Sequence, residues 1–193
     1  MIARRLCVLT ALLMLTAGPL TGDAGPMSAV QQPPRLRILV VHGPNLNLLG
    51  VREPHIYGST TLTAIKASCE EFAKFASAHL SFHQSNHEGV LVDLIQAARE
   101  EADAIIINPA AYSFTSIAMF DAFKAFEGPI VEVHISNIHA RDELHRHSKL
   151  SAASKAVICG LGPYGYIVAM QAAMHMLQKL PASLPTPIRI GPR

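Results

Sequence analysis

Short apolar segments alternate with segments of helical periodicity along most of the chain. The apolar segments are four or five residues long and rich in β-branched side chains, which predicts buried strands at 37–41, 80–84, 104–107, 130–134 and 156–159. The spacing of apolar residues between and after them predicts helices at 62–79, 87–99, 113–126, 140–147 and 163–180. Apolar strands that alternate with helices are typical of a parallel sheet covered on both faces. Residues 36–180 are therefore predicted to form an α/β domain of the doubly wound, flavodoxin-like class, with five parallel strands.

The two ends of the chain lie outside this pattern. Residues 1–24 contain Arg4 and Arg5, then an apolar stretch too short to span a bilayer easily, then small residues, which predicts a secretory signal peptide. The mature protein would then be periplasmic or secreted, without stable membrane anchoring. Translation from Met27 is the alternative and would leave the protein in the cytoplasm. Residues 25–35 are expected to form a linker, and 181–193, which contain four Pro, a C-terminal tail.

The charge pattern argues against nucleic acid as a partner. The 193 residues carry a formal net charge of +2 and contain no run of Lys and Arg, so no basic face is expected. Cys69 and Cys159 are the two Cys residues that follow the predicted signal. They lie in a predicted helix and a predicted strand, and their wide spacing fits buried thiols better than a disulfide framework or a zinc site.

Two short motifs suggest a cofactor or a metal, but their context does not support either. Residues 160–165 match G-x-G-x-x-G between a strand and a helix, yet they follow the last strand and no Asp or Glu comes after them to hold a ribose. This segment is expected to be a tight turn, with Pro163 at the first helical position. His87 and Glu88 begin an H-E-x-x-H motif, but Leu91 stands where the second His belongs. The sequence therefore predicts no cofactor and no metal.

Polar side chains follow three of the predicted strands. The loop from Asn45 to Tyr57 comes after the first strand, Asn108 closes the third, and His134 closes the fourth. Because the carboxyl ends of parallel strands meet at one edge of a sheet, these side chains are expected to line a pocket. Glu132 lies two residues before His134, faces the same side of the strand, and is suited to orient the imidazole. A buried structural Glu–His pair is the alternative.

Arg52 and Tyr57 supply this pocket with a candidate base. A phenol ordinarily has a pKa of about 10, and a neighbouring guanidinium favours its phenolate form. A histidine can protonate a leaving hydroxyl, and amide groups can stabilise an enolate. The set therefore fits elimination of water from a hydroxy-ketone or a hydroxy-acid. The alternative for Tyr57 is a loop aromatic that packs on the edge of the sheet.

Several motifs, in order, closely resemble type II 3-dehydroquinate dehydratase. They lie at residues 43–50, 52–54, 57–58, 84–89, 108–109, 115–116, 132–141 and 160–162. The resemblance extends from about residue 37 to about residue 177. It implies a flavodoxin-like subunit, usually in a homododecamer, that uses no metal or cofactor. It also implies anti elimination of water from the small molecule 3-dehydroquinate, through an enolate, to give 3-dehydroshikimate in shikimate or quinate metabolism.

The resemblance implies a role for each matching position. Tyr57 would be the base that removes the C2 proton, with Arg52 favouring its phenolate form. His134 would be the acid that protonates the departing hydroxyl, and Asn45 would help to hold a water that stabilises the enolate. The implied substrate-binding residues are Asn108, Ile135 and Ser136 at the carboxylate, and Asp121 at the ring hydroxyls. The loop that carries Arg52 and Tyr57 would act as a lid.

Two positions depart from the family motifs. Phe114 replaces a usual His and His145 replaces a usual Arg, and both usual residues would hydrogen-bond the ring hydroxyls. Phe cannot donate, and His is shorter than Arg and only sometimes charged. Losing one buried polar partner costs about 1–3 kcal/mol. Three functions therefore stay open: dehydration of 3-dehydroquinate, elimination on a related, less hydroxylated cyclic hydroxy-acid, and ligand binding without catalysis.

Overall fold

The computed structural model describes residues 35–184. Its strands are β1 (Arg37–His42), β2 (His79–Gln84), β3 (Ala104–Asn108), β4 (Ile130–His134) and β5 (Ala156–Cys159). Its α-helices are α1 (Pro54–Tyr57), α2 (Leu62–Phe75), α3 (Glu88–Glu101), α4 (Tyr112–Thr115), α5 (Ile117–Lys124) and α6 (Tyr164–Met176). Short 3₁₀ turns occur at Leu46–Leu48, Ile138–Ala140, Glu143–His145 and Leu150–Ala153. The predicted signal peptide, most of the predicted linker and most of the predicted tail lie outside the described residues.

The five strands form one parallel sheet in the order β2-β1-β3-β4-β5. This order confirms the predicted doubly wound, flavodoxin-like class. The direction of winding reverses between β1 and β3, and open α/β sheets form their ligand crevice at the carboxyl ends of the strands next to such a reversal. The register aligns the last residues of these two strands, His42 and Asn108. No helix between residues 35 and 184 is long and apolar enough to cross a bilayer.

Alternation along the strands divides the core into two layers. Ile38 and Val40 of β1 pack in the layer that contains α2 and α6, whereas Leu39 and Val41 pack in the layer that contains α3 and α5. Cys69 on α2 lies in the first layer with no solvent exposure, as a buried free thiol, and burial raises its pKa to about 12. Each strand is therefore apolar on both faces because each face is covered by helices.

Three predicted helices end or divide earlier than predicted, and the one predicted to reach residue 180 ends at Met176. The helix predicted to reach residue 79 ends at Phe75, where Ser77 adopts a left-handed φ of 54° and the His79 amide donates to the Leu36 carbonyl. The helix predicted over 113–126 is divided at Ser116. Ser116 has an extended backbone, and its hydroxyl accepts from the Met119 amide at 2.9 Å, so it caps a new helix, α5.

The helix predicted over 140–147 is absent, and two 3₁₀ turns occupy this region. The side chain of Asn137 accepts from the His139 amide at 3.1 Å, and that of Asp142 accepts from the Leu144 amide at 3.0 Å. Such local side-chain acceptors compete with the helical hydrogen bonds of the backbone. This irregular segment follows β4 and therefore passes over the carboxyl edge of the sheet.

His42, the last residue of β1, is a buried and uncharged histidine. Its ring centroid lies 4.3 Å from that of Phe82 and 5.1 Å from that of Tyr166. Its Nδ1–H donates to the His83 carbonyl at 2.9 Å, whereas Nε2 has no hydrogen-bond partner among the described residues. Burial lowers the pKa of His42 to about 4 because a charged imidazolium would lose its hydration there.

We expect His42 to make the fold less stable as the pH falls. Below about pH 6.5 the unfolded histidine binds a proton, whereas the folded one stays neutral until about pH 4. This difference lowers the free energy of unfolding by about 2–3 kcal/mol between about pH 7 and about pH 4.5. His42→Asn keeps a donor for the His83 carbonyl. It should remove this part of the pH dependence of the free energy of unfolding, measured by urea unfolding at several pH values. The exposed control His79→Asn should retain it, and an equal slope in both variants would contradict the assignment.

Candidate active site

A cavity opens at the carboxyl ends of β1, β3 and β4. It is open to solvent, and its empty space, counted together with the solvent at its mouth, is about 720 Å³. Most of the residues that the sequence assigned to a site line it: Asn45, Arg52, Tyr57, Asn108, His134, Ile135 and Ser136. The two positions that depart from the motifs, Phe114 and His145, line it as well, together with Arg141. Three strand ends and the segments after them therefore converge on one pocket.

The close approach of β1 and β3 beneath this cavity requires a glycine. The Gly43 amide donates to the Asn108 carbonyl at 2.8 Å, which continues the pairing of the two strands past the end of β1. A Cβ at Gly43 would lie 2.1 Å from the carbonyl oxygen of Pro109. Gly43 thus lets the loop that carries Asn45 leave the sheet directly beside Asn108.

Glu132 and His134 form a buried pair on β4. His134 Nε2 lies 2.6 Å from Glu132 Oε1, and the two side chains are 5% and 0% exposed. Burial by itself would raise the pKa of Glu132, but hydrogen bonds from His134 and Ser148, the charge of His134 and a hydrogen bond from Ser151 hold that pKa below its ordinary value. Because Glu132 takes up Nε2, Nδ1 is the ring nitrogen of His134 that is left for a ligand in the cavity.

Tyr57 lies at the end of α1 and receives its hydrogen bond from an arginine distant in sequence. Arg141 Nη1 donates to the Tyr57 hydroxyl at 2.9 Å, and the guanidinium carbon lies 5.8 Å from the centre of the phenol ring. The sequence assigned Arg52 as the arginine that favours the phenolate of Tyr57, and that role stays a prediction. Arg52 also lines the cavity, but its Nε donates to Glu53 at 3.0 Å, and Glu53 has a left-handed backbone.

Sequence reasoning therefore missed the part that Arg141 plays in the site. The only sequence feature that pointed to Arg141 was its place as the last residue of the motif at 132–141. Arg141 is half-buried and follows the 3₁₀ turn at Ile138–Ala140, which carries it back across the edge of the sheet to Tyr57. Together with Arg52 it supplies positive charge to the cavity, which favours an anionic ligand.

Asn108 is held by groups from two other segments. Its Nδ2 donates to the hydroxyl of Tyr166 at 3.2 Å, and its Oδ1 accepts from the Ala110 amide at 3.2 Å. Tyr166 on α6 is fully buried, and burial raises the pKa of its phenol, so the hydroxyl stays protonated. Only one of the two Asn108 N–H donors is used in these contacts, and the second is left for a ligand.

Asp121 does not line the cavity of its own chain, and its contact with the ring hydroxyls stays a prediction. It lies on the exposed face of α5, whereas Met119, Ala122 and Phe123 of the same helix pack against the sheet. The helical repeat of 3.6 residues turns position 121 to solvent once these three positions face the core.

Phe114 and His145 contact each other in the wall of the cavity. Their ring centroids are 5.4 Å apart, and the ring planes are nearly perpendicular. His145 Nδ1 lies 2.8 Å from both carboxylate oxygens of Asp142, which draws the imidazole towards the exposed 3₁₀ turn. This wall therefore presents aromatic surface where the family motifs have two hydrogen-bonding side chains.

The described residues contain no cluster of three or more His, Cys, Asp or Glu side chains suited to a metal. The glycine-rich segment before α6 forms a tight turn in which Gly160 and Gly162 have positive φ and donate to the carbonyls of His134 and Ile135. This turn secures the end of β4. The sequence predicted Pro163 as the first helical residue of α6. In the structure it is instead the N-cap, one residue earlier.

Comparisons with known proteins agree on one family. The family model described as "Dehydroquinase class II" matches residues 36–174. The chain is 55% identical to the "Catabolic 3-dehydroquinase" of Verticillium alfalfae over 74% of its own length and 96% of that protein. It is 54% identical to "3-dehydroquinate dehydratase 1" of Agrobacterium fabrum, over 72% of its length and 96% of that protein. Among solved structures, the type II dehydroquinase of Butyrivibrio crossotus aligns with a TM-score of 0.71 and 38% identity, over 72% of this chain and 97% of that one.

Proposed function

This chain belongs to the class II dehydroquinase family, and we propose that it dehydrates 3-dehydroquinate to 3-dehydroshikimate through an enolate. One observation carries the proposal: an arginine-bound phenol and a carboxylate-bound imidazole line the same cavity. These are the two groups that a stepwise elimination of water needs, a base for the proton and an acid for the hydroxyl.

Tyr57 is the proposed base. Its phenolate accepts the proton from C2 of the substrate, and the electrons of the C–H bond move to the C3 carbonyl and form the enolate. The guanidinium of Arg141, at 2.9 Å from the hydroxyl, stabilises the negative charge on the phenolate before the proton is transferred. Arg52 adds a second positive charge to the same cavity. The side chain of Asn45 lines the cavity beside them and is the proposed holder of a water that donates to the enolate oxygen.

His134 is the proposed acid. When the enolate returns to a ketone, the bond between C1 and its hydroxyl breaks, and the Nδ1–H of His134 donates the proton that completes a water molecule. Glu132 stabilises the imidazolium from the opposite side of the ring, through Nε2. Of the two arginines that line the cavity, Arg141 donates to Tyr57 and Arg52 donates to Glu53, so His134 is the proposed donor of this proton.

The sheet supports an anti geometry for the two proton transfers. Tyr57 packs against the core layer that contains α2 and α6. His134 has the same strand parity as Ile130, which packs in the opposite layer with α3 and α5. The two groups therefore approach the cavity from different faces of the sheet. Asn108 and the segment Ile135–Ser136 lie at the strand ends between them and are the proposed carboxylate site.

The direct test is to add 3-dehydroquinate to the purified protein and follow the absorbance of the conjugated ketone in the product. We expect turnover by the wild type. Tyr57→Phe removes the phenol oxygen but keeps the ring, and should lower kcat by a factor of about 10²–10⁴, typical of losing a general base. Circular dichroism of both proteins is the control for folding. A folded wild type that gives no product would contradict the proposal, as would a Tyr57→Phe variant with unchanged kcat.

A second candidate is elimination on a related cyclic hydroxy-acid with fewer ring hydroxyls. The observation that favours it is the wall formed by Phe114 and His145, in which Phe114 has no hydrogen-bonding group and His145 is paired with Asp142. The carboxylate and proton-transfer groups would act as before. Only the contacts with the rest of the ring would differ.

The double variant Phe114→His with His145→Arg distinguishes these two candidates. If the aromatic wall limits the use of 3-dehydroquinate, restoring two donors should raise kcat/KM for it about tenfold or more, since each regained hydrogen bond contributes about 1 kcal/mol. The control is Glu143→Ala, which alters an exposed side chain near His145 that does not line the cavity. No increase in the double variant would show that this wall does not set substrate preference.

We also propose that the chain assembles into a homododecamer, as its motifs imply. Several large apolar side chains in the described region are exposed in the single chain, among them Val51, Ile117, Leu144 and Tyr164. Burial of such side chains between copies would stabilise an assembly. Light scattering coupled to gel filtration should give about twelve times the mass of one chain. A monomeric mass at micromolar concentration would exclude this assembly.

A further inference from the structure

The buried carboxylate of Glu132 has a second close partner besides His134. Ser151 Oγ donates to Glu132 Oε2 at 2.7 Å, while Oε1 faces His134 at 2.6 Å. The two oxygens of one carboxylate thus join a serine hydroxyl to the imidazole. Nothing in the sequence singled out Ser151, because it lies in a short segment that fits neither a strand nor a helix.

The segment that carries Ser151 is fixed in place by packing. Ser151 lies in the 3₁₀ turn Leu150–Ala153, and the preceding Leu150 is fully buried in the core layer that contains α3 and α5. The Lys149 amide donates to the Ser113 carbonyl at 2.8 Å, and the Lys155 amide donates to the Ile130 carbonyl at 2.8 Å. The turn is therefore held at both ends, and the hydroxyl of Ser151 is kept in reach of Glu132.

Taking the proposed dehydration as given, we infer that Ser151 is a positioning residue for the acid step, which keeps Glu132 ionised and aligned so that His134 can donate its proton. A carboxylate with no solvent exposure needs hydrogen bonds on both oxygens to stay charged. Without Ser151, Glu132 would lose the contact at 2.7 Å and keep only the hydroxyls of Ser148 and of Ser154, the latter at 3.5 Å. A protonated or rotated Glu132 would no longer stabilise the imidazolium.

The charged surroundings of Glu132 allow this effect to be measured as a pH dependence. The titratable groups that face it are His134 on the same strand and Cys159 on the neighbouring β5, and burial keeps the pKa of the Cys159 thiol above its ordinary value. The hydroxyls that face it come from Ser148, Ser151 and Ser154. Loss of the shortest of these contacts raises the pKa of Glu132, so activity that needs the carboxylate begins at a higher pH.

The test is Ser151→Ala in the full chain. We expect kcat for 3-dehydroquinate to fall about tenfold while KM changes less than about twofold, since one hydrogen bond to a charged group is lost and no substrate contact is touched. The acid limb of the kcat profile should move up by about one pH unit. Ser151→Thr keeps the hydroxyl and should recover most of the activity, with the acid limb at its original position.

Ser154→Ala is the matched control. It removes a hydroxyl from the residue that caps the same turn, which donates to the Leu150 carbonyl at 3.2 Å and lies farther from Glu132. It should lower kcat by no more than about twofold and leave the acid limb in place, since its contact with Glu132 is weak. Equal losses in both alanine variants with an unmoved acid limb would assign Ser151 a purely structural role and overturn the inference.

A measurement without substrate separates this inference from the proposed function. Carbon-13 NMR of labelled glutamate carboxyl groups follows the titration of Glu132, with Glu132→Gln used to assign its signal. A midpoint that rises in Ser151→Ala supports the link between Ser151 and Glu132 even if the wild type fails to turn over 3-dehydroquinate. An unchanged midpoint overturns the inference even if the wild type is fully active.

Discussion

The site depends on one constraint, that a carboxylate buried in the sheet must be satisfied by hydrogen bonds. Glu132 lies on β4 between Ile107 of β3 and Val157 of β5, and it has no solvent exposure. The cost of removing its charge from water is offset by His134 on one oxygen and serine hydroxyls on the other. This requirement fixes which nitrogen of His134 faces the cavity and places the turn at Leu150–Ala153 against β4. These hydrogen bonds of Glu132 therefore hold His134, the proposed acid, in a defined orientation.

The parallel register of the three central strands brings the remaining groups to that acid. β1, β3 and β4 end at one edge, so His42, Asn108 and His134 finish their strands side by side. Strand parity then sends Asn108 towards Tyr166 on one face and His134 towards the other. The base arrives from outside the sheet, on the loop after β1, and Arg141 arrives on the irregular segment after β4. The cavity therefore combines rigid strand ends with side chains carried by loops, an arrangement in which a fixed scaffold positions variable contacts.

The sequence predicted much of this arrangement, and its failures have identifiable causes. All five strands were predicted within about one residue, because apolar β-branched runs bounded by turns leave few alternatives. The helices were less well bounded, since Ser77, Ser116 and Asp142 end or divide them through local hydrogen bonds that periodicity does not record. Among the site residues, those at strand ends were found from topology alone. Arg141 was missed in its role because its contact with Tyr57 spans 84 residues and depends on the path of an irregular segment.

By itself, the sequence determined the fold class, the edge of the sheet that bears the site and the family, because periodicity and motif order are properties of the chain. Only the tertiary structure decided which polar and charged side chains contact each other. It paired Tyr57 with Arg141, gave Glu132 its contact with Ser151, and turned Asp121 away from the cavity of its own chain. The physical reason is that strand parity and helical repeat follow from local spacing, whereas hydrogen bonds between loops depend on how separate segments pack in three dimensions.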